Sequence, residues 1–113
     1  MDILTLFADA MSAAGIPPPA DLVADGKLHR FHVEGDRSGS LNGWFILFSD
    51  GIPAGSFGSW KASVTHRWSG KDRRTMTTAE RSDHKKQMAA ATAARKRALE
   101  QRRAEARKRA ATI

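Results

Sequence analysis

From Ala79 to Thr112 the chain reads AERSDHKKQMAAATAARKRALEQRRAEARKRAAT, with no glycine or proline and with Met88 and Leu99 as its only large apolar side chains. Ala, Arg, Lys, Glu, Gln and Met are the strongest helix formers, so helix is the favoured state of this third of the chain. Thr77 and Glu80 at its start have the capping-box form, in which the threonine oxygen accepts from the backbone and the glutamate reaches back. No heptad seam of large apolar residues runs through it, which argues against a coiled coil. The expectation is a helix with almost nothing to bury. Propensity and pairs such as Glu105 with Arg109, each worth about 0.2–0.5 kcal/mol, would hold it as a projection or a linker.

The same run divides the chain electrostatically. Residues 1–60 carry seven acidic and three basic side chains, a net of −4, whereas residues 61–113 carry five acidic and sixteen basic, a net of +11; together they make the overall +7. A positive stretch attracts phosphates over roughly a Debye length, about 10 Å at 0.1 M salt, so the first functional expectation is a polyanionic partner, with nucleic acid foremost. The alternative is a solvated face that only keeps a long helix soluble. Without cysteine, disulfides, thiolate zinc sites and thiol nucleophiles are excluded. The N-terminal apolar stretch carries Asp2 and Asp9 and no basic leader, unlike a secretory signal. Nor does any segment approach the ~20 apolar residues needed to span a bilayer. A soluble intracellular protein with no membrane partner is expected.

In the first part of the chain, Ile3, Leu6, Phe7, Ala10, Met11 and Ala14 fall at spacings of three and four, the apolar stripe of an amphipathic helix. Gly15 and the prolines Pro17, Pro18 and Pro19 end it. Four strands are predicted beyond it. Residues 28–36 alternate, with His29, Phe31 and Val33 on one face and Leu28, Arg30, His32 and Glu34 on the other. Residues 44–50 are apolar on both faces and close on the turn pair Asp50-Gly51. A third strand lies around 54–60, and a fourth, 62–68, sets Val64, His66 and Trp68 against Ser63, Thr65 and Arg67.

The fold class is α+β, a small antiparallel β-meander of about four strands covered by the N-terminal amphipathic helix and followed by the long basic C-terminal helix. Residues 1–70 form the globular domain on this reading, and 71–113 the helical extension or linker. Since one small helix covers only one sheet face, some aromatics on the other are expected to stay partly exposed, and such a patch marks a binding surface.

No catalytic constellation is present. His29 and His32, three apart on a strand, point to opposite faces and cannot share a metal, and the carboxylates are scattered through turns. His29 and His66 have the option of meeting across the sheet, with ordinary half-buried histidines as the alternative. GDRSGS (35–40) lacks the Lys-Ser/Thr ending and following helix of a phosphate-cradling loop, and reads as a hairpin loop whose Arg37 is available to a phosphate. No catalytic residue, metal or cofactor is therefore assigned. For nucleic acid, Lys27, Arg30, Arg37, Lys61 and Arg67 lie in or beside strands, and Trp44, Trp60 and Trp68 offer stacking faces worth about 1–3 kcal/mol per base where exposed. Arg73, Arg74, Lys85, Lys86, Arg95, Lys96, Arg97, Arg102 and Arg103 of the extension complete the candidate set, without Trp68. Burial in the core is the competing role for each tryptophan.

The segment DGKLHRFHVEGDRSGSLNGWFILFSDGIPAGSFGSWKASVTHRW (25–68) carries the patterns D-G-K-x-H-R-F, G-D-x-x-G-x-x-N-G-W and D-G-x-P-A-G-x-F-G-x-W-K. In this it resembles the small N-terminal accessory domain of phage and plasmid primases, mobile-element proteins that continue into a Toprim region. The basic Ala-rich helix, with Thr77, Glu80 and Arg81 at its start, is similar to the connector in those proteins. The likeness ends before any zinc-binding, Toprim or ATPase segment, so it implies a part in replication and not primase catalysis by this chain. The expectation it supports is a non-catalytic DNA-binding accessory module in the cytoplasm of a bacterial host. Its partners would be single-stranded DNA or primer-template, with replication proteins or the primase catalytic domain beside it. The alternative is a docking module that binds a replication partner or itself through the aromatic sheet, with the basic helix as spacer. Oligomeric state is left open.

Overall fold

The structure is a computed structural model and describes residues 2–111. The last two residues of the expected extension, Thr112 and Ile113, lie outside the described residues. The elements in chain order are α1 (Ile3–Ala13), β1 (His29–Phe31), β2 (Gly43–Phe48), β3 (Ala54–Ser59), β4 (Val64–Ser69), a 3₁₀ turn (Arg73–Thr75) and α2 (Thr78–Ala111). The four strands form one antiparallel sheet in the order β1-β2-β3-β4, the meander expected for an α+β fold. Asp2 caps α1 by accepting from the Thr5 amide at 2.9 Å.

Register builds the face under α1. His29 lies opposite Phe45, Phe45 opposite Phe57, and Phe57 opposite His66, so one row of rings crosses all four strands. His29 stacks on Phe45 with centroids 5.2 Å apart, and His66 on Phe57 at 5.3 Å. Phe7 of α1 enters edge-on against Phe45, Phe57 and Trp68 and is fully buried with Met11 and Leu47. His29 and His66 thus stand at opposite edges of the sheet, separated by two phenylalanines, and do not meet.

The first strand is shorter than its alternation suggested. Pairing stops at Phe31 opposite Gly43, where β2 begins. Residues 32–42 fold into a loop instead, with His32 Nδ1 donating to the Ser40 carbonyl at 3.0 Å and the Asp36 amide to the Val33 carbonyl at 3.0 Å. Side-chain and turn bonds here compete successfully with the ladder.

The second face departs most from expectation. Trp44 and Ile46 are each only 1% exposed, and the cover is α2, whose Ala91 joins them in a buried cluster flanked by Leu28, Phe48, Trp60 and Ala94. Met88, Ala91 and Ala98 are the buried residues of α2, at helical spacings of three and seven, so an apolar stripe does exist in it. It consists mainly of methyl groups. Small side chains let the helix axis approach the sheet closely, and β3 answers with Ser56 and Gly58 on the same face. The helix that was expected to project therefore lies on the sheet for most of its length. Projection is confined to its last turns: every residue from Arg103 to Ala111 is exposed. At about 1.5 Å per residue, its 34 residues account for the 55 Å long axis of the molecule.

The start of α2 has the capping box predicted for it. The Thr77 amide donates to Glu80 Oε1 at 2.8 Å and the Glu80 amide to Thr77 Oγ1 at 3.1 Å, while Lys71 Nζ binds the same glutamate at 2.9 Å. These bonds hold the Glu80 carboxyl below the usual carboxylate range, the Thr77 amide contributing most. Thr77→Ala is expected to lower stability by about 1 kcal/mol, read as a shifted urea midpoint with unchanged slope.

Candidate nucleic-acid interface

The motif residues of 25–68 converge where the far part of α2 docks. Arg102 Nη2 donates to Asn42 Oδ1 at 2.6 Å, and Asn42 Nδ2 donates to Asp36 Oδ2 at 3.2 Å. Lys61 Nζ stands 3.5 Å from the other Asp36 oxygen. Asn42 also anchors the β3–β4 turn, since its carbonyl accepts from the Trp60 amide at 2.9 Å. The guanidiniums of Arg30 and Arg102 each lie 5.7 Å from the Trp60 ring, and Arg30 Nη1 pairs with Glu105 at 3.2 Å. Five fixed positions of the motifs, Arg30, Asp36, Asn42, Trp44 and Trp60, therefore act first as the socket for a helix.

This placement engages five of the residues singled out from sequence within the molecule. Trp44 is buried under α2, so its ring is closed to a stacking base. Trp60 lies against two guanidiniums and Trp44, with centroids 6.3 Å apart in the tryptophan pair, and Trp68 packs edge-on against Phe7. Arg30 and Arg102 each direct a guanidinium nitrogen to a partner within the molecule, Glu105 and Asn42, while Arg30 Nε is buried without a partner. The aromatic sheet face expected to stay open for stacking, or for a docking partner, is the face that α2 covers. The motifs did not reveal this because a stripe of alanines carries almost no hydropathy contrast.

Other cations gather along the β4 side of α2. One compartment of about 120 Å³ is lined by Arg67, Arg95, Thr65, Ser56, Met88 and Thr92, among others. A second, of about 380 Å³, is lined by Trp60, Ser59, Ser63, Arg95, Arg102 and Arg103, among others. Thr65 and Arg95 line both, so the two compartments adjoin as parts of one groove beside α2. No carboxylate lines it. Arg67 and Arg95 have no carboxylate partner among the described residues, whereas Arg103 pairs with Glu100 at 3.2 Å. His84, one turn before Met88 on α2, has its pKa lowered, first by burial and then by the charges of Arg73 and Arg67, and its Nδ1 is buried without a partner. His84 and the hydroxyls of Thr65, Ser59 and Ser63 were not singled out from sequence, although the alternation of β4 had put Ser63, Thr65 and Arg67 on one face.

The remaining candidates are dispersed. On the β1 side of α2, Arg30 and Arg97 share a shallower hollow with Leu28 and Gln101. Lys27, Arg37, Lys85, Lys86 and Lys96 are exposed and line neither groove. Arg74 is bound to Asp72 at 3.0 Å, and the Arg73 carbonyl accepts from Arg81 Nε at 3.3 Å. Among the described residues no cluster of three metal-ligating side chains occurs, and no helix is long and apolar enough to cross a membrane.

A socket built from these motifs, with a basic groove beside it, can be set against known proteins. The chain is similar to part of a DNA primase. Over 92 residues, 79% of its length, it is 33% identical to DNA primase TraC of Escherichia coli, of which it covers 9%. A second DNA primase TraC of Escherichia coli is 36% identical over 70 residues, 58% of this chain and 5% of that protein. The chain thus spans less than a tenth of the TraC primases it matches. No protein-family model and no solved structure matches it. The relationship to a DNA primase agrees with the primase-like motifs at Asp25–Lys61.

Proposed function

We propose that this chain is a non-catalytic accessory part of a replication primase that holds DNA by its phosphates, along the groove between β4 and α2 and onto the projecting end of α2. The observation that carries this reading is the groove itself: Arg67, Arg95 and Arg103 with serine and threonine hydroxyls, and no acidic lining. Arginines and hydroxyls that meet phosphate oxygens position a strand without reading its bases. With the tryptophans engaged inside the molecule, base stacking contributes little, and affinity should depend on charge and hardly on sequence. The similarity to part of DNA primase TraC supplies the context, a role connected with DNA replication.

Titration against single- and double-stranded oligonucleotides at low and moderate salt tests it. Log affinity should fall with log salt at about 0.7–0.9 per phosphate contacted, and Arg95→Ala and Arg103→Ala should each reduce that slope by close to one contact. Lys86→Ala, outside the groove, should change it less. Absence of binding at low salt ends the proposal.

A further inference from the structure

We propose that the outward side of α2, from Ala93 to its projecting end, is a ridge that lies in the major groove of duplex DNA. The inference rests on the phosphate-binding reading and gives it a substrate class, a double helix held by both of its backbones.

The helix presents three rows of side chains away from the sheet. A turn takes about 3.6 residues, so positions four, seven and eleven apart lie along one side. Ala93, Glu100, Ala104 and Ala111, at spacings of seven, four and seven, form a crest opposite the buried Ala91 and Ala98, and each is exposed. Lys96, Arg103 and Arg107, also exposed, follow one another at seven and four along the flank towards β4, where Arg103 lines the groove with Trp60 and Ser63. Arg97 and Lys108, exposed and eleven apart, lie on the flank towards β1, where Arg97 lines the other hollow with Leu28 and Arg30. Lys96, Arg97, Arg107 and Lys108 have no carboxylate partner among the described residues. Of the two acidic side chains in this part of the helix, Glu105 is turned to Arg30 on the sheet and Glu100 is held by Arg103.

Cations on both flanks of one helix fit two rows of phosphates. A single strand has one row and follows one flank; the groove beside β4 accounts for that flank and leaves Arg97 and Lys108 without a role. The major groove of B-form DNA, about 12 Å wide, admits an α-helix of about 10–12 Å full diameter, and its walls are the two backbones. The minor groove, about 6 Å wide, does not. A crest made mainly of methyl groups keeps this helix slim, and every residue from Arg103 to Ala111 is exposed, so that end can be enclosed from both sides. From Ala93 to Ala111 the ridge runs about 27 Å at the usual rise of about 1.5 Å per residue. Methyl groups offer no hydrogen bonds to base edges, so the fit depends little on sequence. Glu100 is the crest group that opposes a polyanion, and its bond to Arg103 is one that a phosphate would replace.

The test uses the whole chain, a short duplex and each of its two strands alone, at low salt. The duplex should bind about tenfold more tightly than either strand. Arg97→Gln combined with Lys108→Gln should remove most of that preference and lower the duplex salt slope by about two, while weakening single strands, which follow the β4 flank, far less. Ala104→Tyr, a bulky change at an exposed crest position, should act with the same selectivity, and Glu100→Gln should tighten duplex binding. Guanine N7 atoms, which lie in the major groove, should be protected from dimethyl sulfate in the complex. Equal affinity for duplex and strands, with the Arg95→Ala and Arg103→Ala effects intact, overturns the ridge and leaves phosphate binding along the β4 groove standing. A duplex preference that survives the change at Arg97 and Lys108, or that comes without N7 protection, also overturns it. Failure of every oligonucleotide to bind at low salt removes both readings together.

Discussion

A chain cut after Thr77 is expected to lose its cooperative fold, and not simply to shed a basic tail. Removal of α2 leaves Trp44 and Ile46 without their cover, and these are among the most completely buried side chains of the protein. Each large apolar side chain returned to water costs about 1.5–3 kcal/mol. It also strips Arg30 of Glu105 and Asn42 of Arg102. A residual unit of this size buries only about 60% of its unfolded surface and starts with little stability to lose, so several kcal/mol is most of what it has. Circular dichroism should show a broad transition or none for residues 1–77, and tryptophan emission should move to the red as Trp44 and Trp60 meet water. A sharp melt near that of the whole chain would mean that α2 rests on the sheet without stabilising it.

Gly58→Ala is the second large effect. A Cβ at Gly58 would overlap the Val64 carbonyl and stand 2.9 Å from the Trp44 ring. The first neighbour is backbone of the paired strand, and the second is locked between β3 and α2, so neither can swing aside. The strain should cost about 2–3 kcal/mol, as overpacking of a full core does. That corresponds to a melting temperature lower by roughly 10–20 °C for a domain of this size. Gly39→Ala is the informative comparison: a Cβ there meets nothing within 4 Å, and only its positive φ of 80° opposes the change. If Gly58→Ala melts no lower than Gly39→Ala, the close seating of Trp44 beneath α2 is wrong.

Much of the architecture was legible because its signals are local. The stripe from Ile3 to Ala14, the turn at Asp50-Gly51 and the Thr77–Glu80 capping box each declare themselves within a few residues, and each is present. The division of β4 into Val64, His66 and Trp68 against Thr65 and Arg67 follows from the two-residue repeat of a strand. The motif glycine at position 58 is spelled out in the chain, but its reason lies in the ring of Trp44, fourteen positions earlier.

The docking of α2 was not legible. Its contact surface is Met88, Ala91 and Ala98, and alanine reads equally well as surface or as interface, because its identity encodes helix propensity without stating what the methyl faces. Likewise the roles of Arg30, Trp44, Trp60 and Arg102 depend on long-range partners: Arg30 meets Glu105 across 75 positions, and Arg102 meets Asn42 across 60. Charge composition made nine basic residues between Arg73 and Arg103 candidates for an outside anion without distinguishing among them. Folding divides them, drawing Arg102 inward, pairing Arg103 with Glu100 and leaving Arg95, with Arg67, along a groove with no carboxylate in its lining. Residue order thus suffices for helices, strands, turns and net charge, since these depend on neighbours in the chain. Which cations remain open to a ligand depends on where a helix of small side chains comes to rest, and only three-dimensional packing decides that.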